Sequence, residues 1–137
     1  MPFQIEVPIR FHHADAAGIM FFANNFVLAH DAYEGFIASL GLEFAEWFQS
    51  KTMAAPIRHA EAEYFSPLRA GDTATITVEV EHVGRSSFKL AYTFTTAAGR
   101  HARITLVHAC MNIEKRTKMD LPEDVRTRLL ALKAAAE

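Results

Sequence analysis

The sequence predicts an α+β fold: a curled antiparallel sheet of about five strands wrapped around one long helix, with a further helix closing the chain. Three observations carry this. The chain opens on period-two alternation, shifts to one mostly apolar stretch of helical period, and then returns to alternating runs separated by turn residues. An apolar helix followed by antiparallel strands buries itself best inside the curl of its own sheet.

In order along the chain, Phe3, Ile5, Val7, Ile9 and Phe11 share one side of the opening segment, with Gln4, Glu6 and Arg10 on the other. That is a strand over residues 3–11 with one wet face. From Asn24 the spacing of Phe26, Ala29, Tyr33, Phe36, Ile37 and Leu40 is helical, and Gly41 stands where a helix ends. This helix is apolar enough to be expected buried around its whole circumference. "EFAEWFQSK" reads as a second, shorter helix.

"APIRHAEAEYF" is a strand halted by Ser66-Pro67. In "DTATITVEVEHV", Ala74, Ile76, Val78 and Val80 face in, and Thr73, Thr75, Thr77 and Glu79 face out. Phe88, Leu90, Tyr92 and Phe94 repeat the pattern, and Ala98-Gly99 turns the chain into "RHARITLVHACMNIEK". Gly71-Asp72 and Gly84-Arg85 mark the other turns, so short connections are expected between these four strands. From about Pro122 an amphipathic helix carries Val125, Leu129, Leu130 and Leu132.

Residues 1–137 are expected to make a single domain. With 50% hydrophobic and 22% charged residues the composition is globular, and a net charge of −2 leaves no electrostatic footprint for nucleic acid. The lone Cys110 permits no internal disulfide and fits a reducing compartment. "MPFQIEVPIR" lacks the pattern of a signal peptide, and no apolar run approaches the roughly 18 residues of a membrane span. A cytoplasmic protein without membrane contact is expected.

The chemistry concentrates in "RFHHADAAGIMFFANNF". Asp15 precedes the long helix, whose first N–H groups are unpaired and carry partial positive charge. A carbonyl placed there has its developing negative charge stabilised by an amide. A carboxylate beside it can attack that carbonyl or take a proton from a water that does. Gly18 allows a tight turn and close approach of a substrate. The alternative is that Asp15 is a helix cap or an ordinary loop aspartate. His12 and His13, adjacent on an extended segment, are expected to point to opposite sides and so make a poor metal pair. His30, with Asp31 beside it, can face the same pocket as Phe26, but it and His59 are equally explained as packing residues. Arg85, Ser86, Ser87 and Lys89 make a turn suited either to solvent or to a phosphorylated substrate.

"ADAAGIMFFANNF", followed by a helix carrying "HDAYEGF", resembles the signature of the hotdog-fold acyl-CoA thioesterases of the 4-hydroxybenzoyl-CoA thioesterase family. The resemblance runs on through "APIRHAEAEYFSPLRAGD" and "GRSSF", and is nearest to the branch acting on 1,4-dihydroxy-2-naphthoyl-CoA. It implies one hotdog thioesterase domain that hydrolyses an acyl-CoA, with an aromatic acyl group, to free acid and CoA without metal or organic cofactor. It further implies Asp15 as nucleophile or general base, the Phe22 amide as oxyanion donor, and Arg85, Ser86 and Ser87 at the CoA phosphates. Phe21, Phe22 and Phe26, with Tyr64 or Phe65, would line the acyl pocket. Active sites would lie between protomers of a homodimer or homotetramer. The chain departs from the family pattern at His13, where many members have a second acid, at Phe22, where Tyr or His is common, and at His30, where others carry a carboxylate. Its basic turn has one arginine rather than two. Two rivals follow from the same fold: an acyl-thioester hydratase or dehydratase using His13 or His30, and a domain that binds acyl-CoA without turnover.

Overall fold

The computed structural model describes residues 2–136. Strand β1 (Phe3–Pro8) leads through a 3-10 turn (Phe11–His13) to the long helix α1 (Asn24–Ser39), and the short α2 (Phe44–Phe48) follows. Strands β2 (Met53–Ala54), β3 (Ile57–Tyr64), β4 (Thr73–Val83), β5 (Ser87–Thr96) and β6 (Gly99–Ala109) come next. The short β7 (Met111–Asn112) and β8 (Thr117–Lys118) precede helix α3 (Glu123–Ala136).

The main sheet is antiparallel in the order β1-β4-β5-β6-β3, and β2, β7 and β8 form a small second sheet. The predicted class, the five-stranded sheet and the closing helix are all present. Alternation in β4, β5 and β6 turns Ile76, Leu90, Tyr92, Phe94, Ile104 and Leu106 into the core, where they meet Leu28, Ala29, Ala32, Phe36 and Ile37 of α1. Register shifts at Val80/His82, Phe94/Thr95 and Ile57/His59 bend the strands and curl the sheet around the helix. Gly35 lets α1 approach β1: a Cβ there would stand 3.0 Å from the Phe3 ring. At the other end, the Arg128 guanidinium of α3 donates to the Leu40 carbonyl, a cation where α1 leaves unpaired oxygens.

Four expectations need correction. Strand β1 stops at Pro8, because the chain turns at Arg10; Phe11 is 91% exposed rather than on the buried side. Helix α1 is not buried all round, since Val27, His30, Asp31 and Glu34 form an open face. The third correction concerns the strand connections: β3 does not turn into β4 but pairs with β6 at the far edge, so residues 65–72 cross from one side of the sheet to the other. Finally, the His12 and His13 rings do not diverge, because the 3-10 turn brings their centroids to 4.3 Å. Among the described residues no helix is long and apolar enough to cross a membrane.

Candidate active site

The loop carrying Asp15 folds back on itself. Ala14 and Met20 pair across it, the Asp15 N–H donates to the Ile19 carbonyl (2.9 Å) and the Gly18 N–H to the Asp15 carbonyl (3.0 Å). Gly18 closes the turn at φ +79°, a conformation that costs other residues about 1 kcal/mol or more. One carboxylate oxygen of Asp15 accepts the Ala17 N–H (2.8 Å), and the side chain is otherwise exposed. Asp15 therefore does not cap α1. The N-cap is Ala23, which has no capping side chain, and no acid occupies the first turn.

The helix start is thereby left electropositive. The Phe22 and Ala23 N–H groups donate to no protein acceptor among the described residues. Both are held firmly. The Phe21 carbonyl, in the same peptide as the Phe22 N–H, accepts from the Asn24 amide (2.9 Å), which polarises that N–H further. The Phe22 carbonyl takes the Asn25 amide (3.2 Å), the Asn25 side-chain NH2 (3.0 Å) and the Tyr64 hydroxyl (3.2 Å). The loop is tied to this helix start through the His13 carbonyl, which accepts the Phe21 N–H (2.9 Å) and the Asn24 side-chain NH2 (2.8 Å). Burial, with His12 and Arg10 nearby, lowers the pKa of His13, and its Nδ1 accepts the Arg10 N–H (2.9 Å).

A cavity of about 360 Å³ opens beside the Phe22 amide, walled by Ile19, Met20, Phe22, Asn25, Tyr64 and Phe65, with His101 at its back. His101 is held by Thr96 (2.7 Å) and Ser66 (3.0 Å). Asp15 does not line this cavity; it stands at the loop tip, open to solvent in a single chain. An amide donor at an uncapped helix end, a polarised peptide behind it and an apolar wall are the parts needed to stabilise an oxyanion.

Residues 9–129 match the thioesterase-like superfamily. The chain belongs to that superfamily. Among its relatives, the 1,4-dihydroxy-2-naphthoyl-CoA hydrolase of Synechococcus elongatus is 34% identical over 88% of this chain and 90% of that protein. The corresponding hydrolase of Nostoc punctiforme is 30% identical over 91% and 84%. The crystal structure of a 1,4-dihydroxy-2-naphthoyl-CoA thioesterase from Synechocystis superposes with a TM-score of 0.88 at 25% identity, covering 96% of this chain and 98% of the other. The curled sheet around α1 is the hotdog fold of these thioesterases.

In this superfamily member the remaining candidate residues are scattered. Phe21 is exposed next to Phe22, their rings 4.9 Å apart, and Phe26 is half-buried along α1. His30 lines a second cavity further down the helix. His59 lies on the outer face of β3, exposed and 2.7 Å from Glu61. Arg85 is exposed at the β4–β5 turn; its carbonyl and that of Ser86 accept the Leu121 and Cys110 N–H groups, while Ser86 is buried and Ser87 half-buried. Sequence reasoning missed Asn25 and His101 because only the folded chain brings them to the helix start. The doublet Asn24-Asn25 just where helical spacing begins was the one available signal.

Proposed function

We propose that this chain hydrolyses an aromatic acyl-CoA thioester to the free acid and CoA. The observation that carries the reading is the unpaired Phe22 amide at the uncapped start of α1, tied through His13 to the loop that holds Asp15. The thioester carbonyl oxygen sits on that amide. The Asp15 carboxylate either adds to the carbonyl carbon, giving an anhydride that water then opens, or removes a proton from the attacking water. In both cases the C–S bond breaks and the CoA sulfur leaves, taking up one proton, without metal or organic cofactor.

A second copy of the chain completes the site. Among the described residues strand β3 pairs with β6 alone, so its other edge is open, and the loop of Asp15 faces solvent in one chain. Pairing of β3 edges into a dimer, or further into a tetramer, covers both. The Arg85 turn with Ser86 and Ser87 meets the CoA phosphates, and the protein works in the cytoplasm. The relatives' substrates point to an aryl group, 1,4-dihydroxy-2-naphthoyl among the candidates.

The test is thiol release over a panel of aryl- and fatty acyl-CoAs. Fastest turnover on an aryl-CoA is expected. Tight binding with no thiol released assigns a binding domain instead, and a change in enoyl absorbance without thiol assigns a hydratase.

A further inference from the structure

A 3-10 turn leads into α1. The Asn24, Asn25 and Phe26 N–H groups donate in succession to the Phe21, Phe22 and Ala23 carbonyls, at 2.9, 3.2 and 3.1 Å. Ala23 has helical angles, φ −67° and ψ −23°. In such a turn neighbouring N–H groups point the same way along the axis, out of the helix end. The Phe21 N–H is spent on the His13 carbonyl and the Asn24 N–H on that of Phe21. Among the described residues this leaves two adjacent bare amides, Phe22 and Ala23.

The two are braced differently. The Phe22 N–H shares a peptide with the Phe21 carbonyl, which accepts the Asn24 amide. The Ala23 N–H shares a peptide with the Phe22 carbonyl, and that oxygen collects the Asn25 N–H, the Asn25 side-chain NH2 (3.0 Å) and the Tyr64 hydroxyl (3.2 Å). Each donor on a peptide oxygen leaves the N–H of the same peptide more positive. Asn25 is 4% exposed, and its Oδ1 meets no donor among the described residues. That is a costly arrangement for a side chain that only packs. Tyr64 reaches the Phe22 carbonyl from the end of β3, its ring edge-on to that of Phe22 (6.4 Å). Both side chains line the cavity beside the Phe22 amide.

We infer that the Ala23 N–H is a second oxyanion donor beside that of Phe22, and that Asn25 and Tyr64 are positioning residues that aim and strengthen it through the Phe22 carbonyl. The oxygen of a flat thioester carbonyl carries only partial charge. The full charge that develops as the carbon turns tetrahedral is what a second, polarised donor stabilises, so the effect falls on kcat. The inference rests on the hydrolase reading for the reaction, not for the paired amides.

The experiment uses Tyr64→Phe, which removes only the hydroxyl, and Asn25→Leu, which keeps the branched shape without the amide. The substrate is the fastest aryl-CoA of the thiol-release panel. Losing a whole oxyanion donor costs about a hundredfold or more, and weakening one by the share of a single neighbour amounts to roughly two- to eightfold. Tyr64→Phe is expected to lower kcat by that factor with KM unchanged, and Asn25→Leu to lower it further. Unchanged kcat in Tyr64→Phe, or a rise in KM alone, overturns the inference. In parallel the amide protons of Phe22 and Ala23 are followed by NMR. In Tyr64→Phe the Ala23 proton is expected to move upfield while that of Phe22, whose peptide Tyr64 does not touch, stays. With 2-naphthoate added to wild type as a carboxylate probe, both are expected to move downfield. A response at Phe22 alone, or at neither, overturns the inference even where Asn25→Leu does not fold. Thiol release from no acyl-CoA, with both amides still taking the carboxylate, sinks the hydrolase reading and leaves the paired donors standing.

Discussion

The Asp15 side chain makes one hydrogen bond among the described residues, accepting the Ala17 N–H, and an Asn side-chain oxygen can accept it equally. Asp15→Asn is therefore expected to leave the circular dichroism spectrum and melting temperature unchanged while kcat for thiol release drops at least about a hundredfold. Near-wild-type turnover would reject the carboxylate's role. His108 makes a separate prediction about pH. Folded, burial holds its pKa down to about 4, against the ordinary 6.5 of the unfolded chain. As pH falls the unfolded state takes up its proton first, so the stability contributed by the neutral ring is complete above about 6.5. It drains as pH drops toward 4, by about 3 kcal/mol in all. His13, also lowered, adds in the same direction. Urea unfolding between about pH 7 and pH 5 should show this slope, and His108→Phe should flatten it.

At the scale of elements, what matters is how a helix end and a turn present their backbone. The start of α1 works because nothing on the chain caps it: Ala23 offers no side-chain acceptor, and Asn25 and Tyr64 instead clamp the Phe22 carbonyl from the other side. The β4–β5 turn is braced differently. Its Gly84 carbonyl accepts the Arg126 Nε–H (3.2 Å) and the Arg85 carbonyl the Leu121 N–H, leaving the Arg85 guanidinium exposed. Since the brace is made by the backbone of Arg85, Arg85→Ala should fold normally. It is expected to raise KM for acyl-CoA substrates with little change in kcat, and to leave a pantetheine thioester without phosphates almost unaffected. Equal effects on both substrates would exclude contact with the phosphates.

The whole molecule is incomplete at one edge. In β3, Ala62, opposite Ile104, packs against the core, yet the rest of the strand is exposed, as is the nearby Phe65. A long open edge of this kind is rarely left bare. Sedimentation velocity at micromolar concentration should therefore give a dimer or tetramer, and specific activity should fall on dilution below the dissociation range. A monomer of full activity at every concentration would mean that one chain suffices.

The sequence by itself determined the alternating strands, the long helix beginning at Asn24 and the placement of Asp15 and Gly18 just ahead of it, because period and turn chemistry are local properties. Reading Asp15 as more than a loop residue took the resemblance as well, since a lone acid before a helix says little alone. Only the tertiary structure decided that β3 lies beyond β6, that α1 keeps an open face, and that the Phe22 amide is left without a partner. The same holds for His108, whose stack with Tyr33 and Phe88 joins a helix and two strands. These are long-range pairings, set by which surfaces pack together when the sheet curls, and no local pattern encodes them.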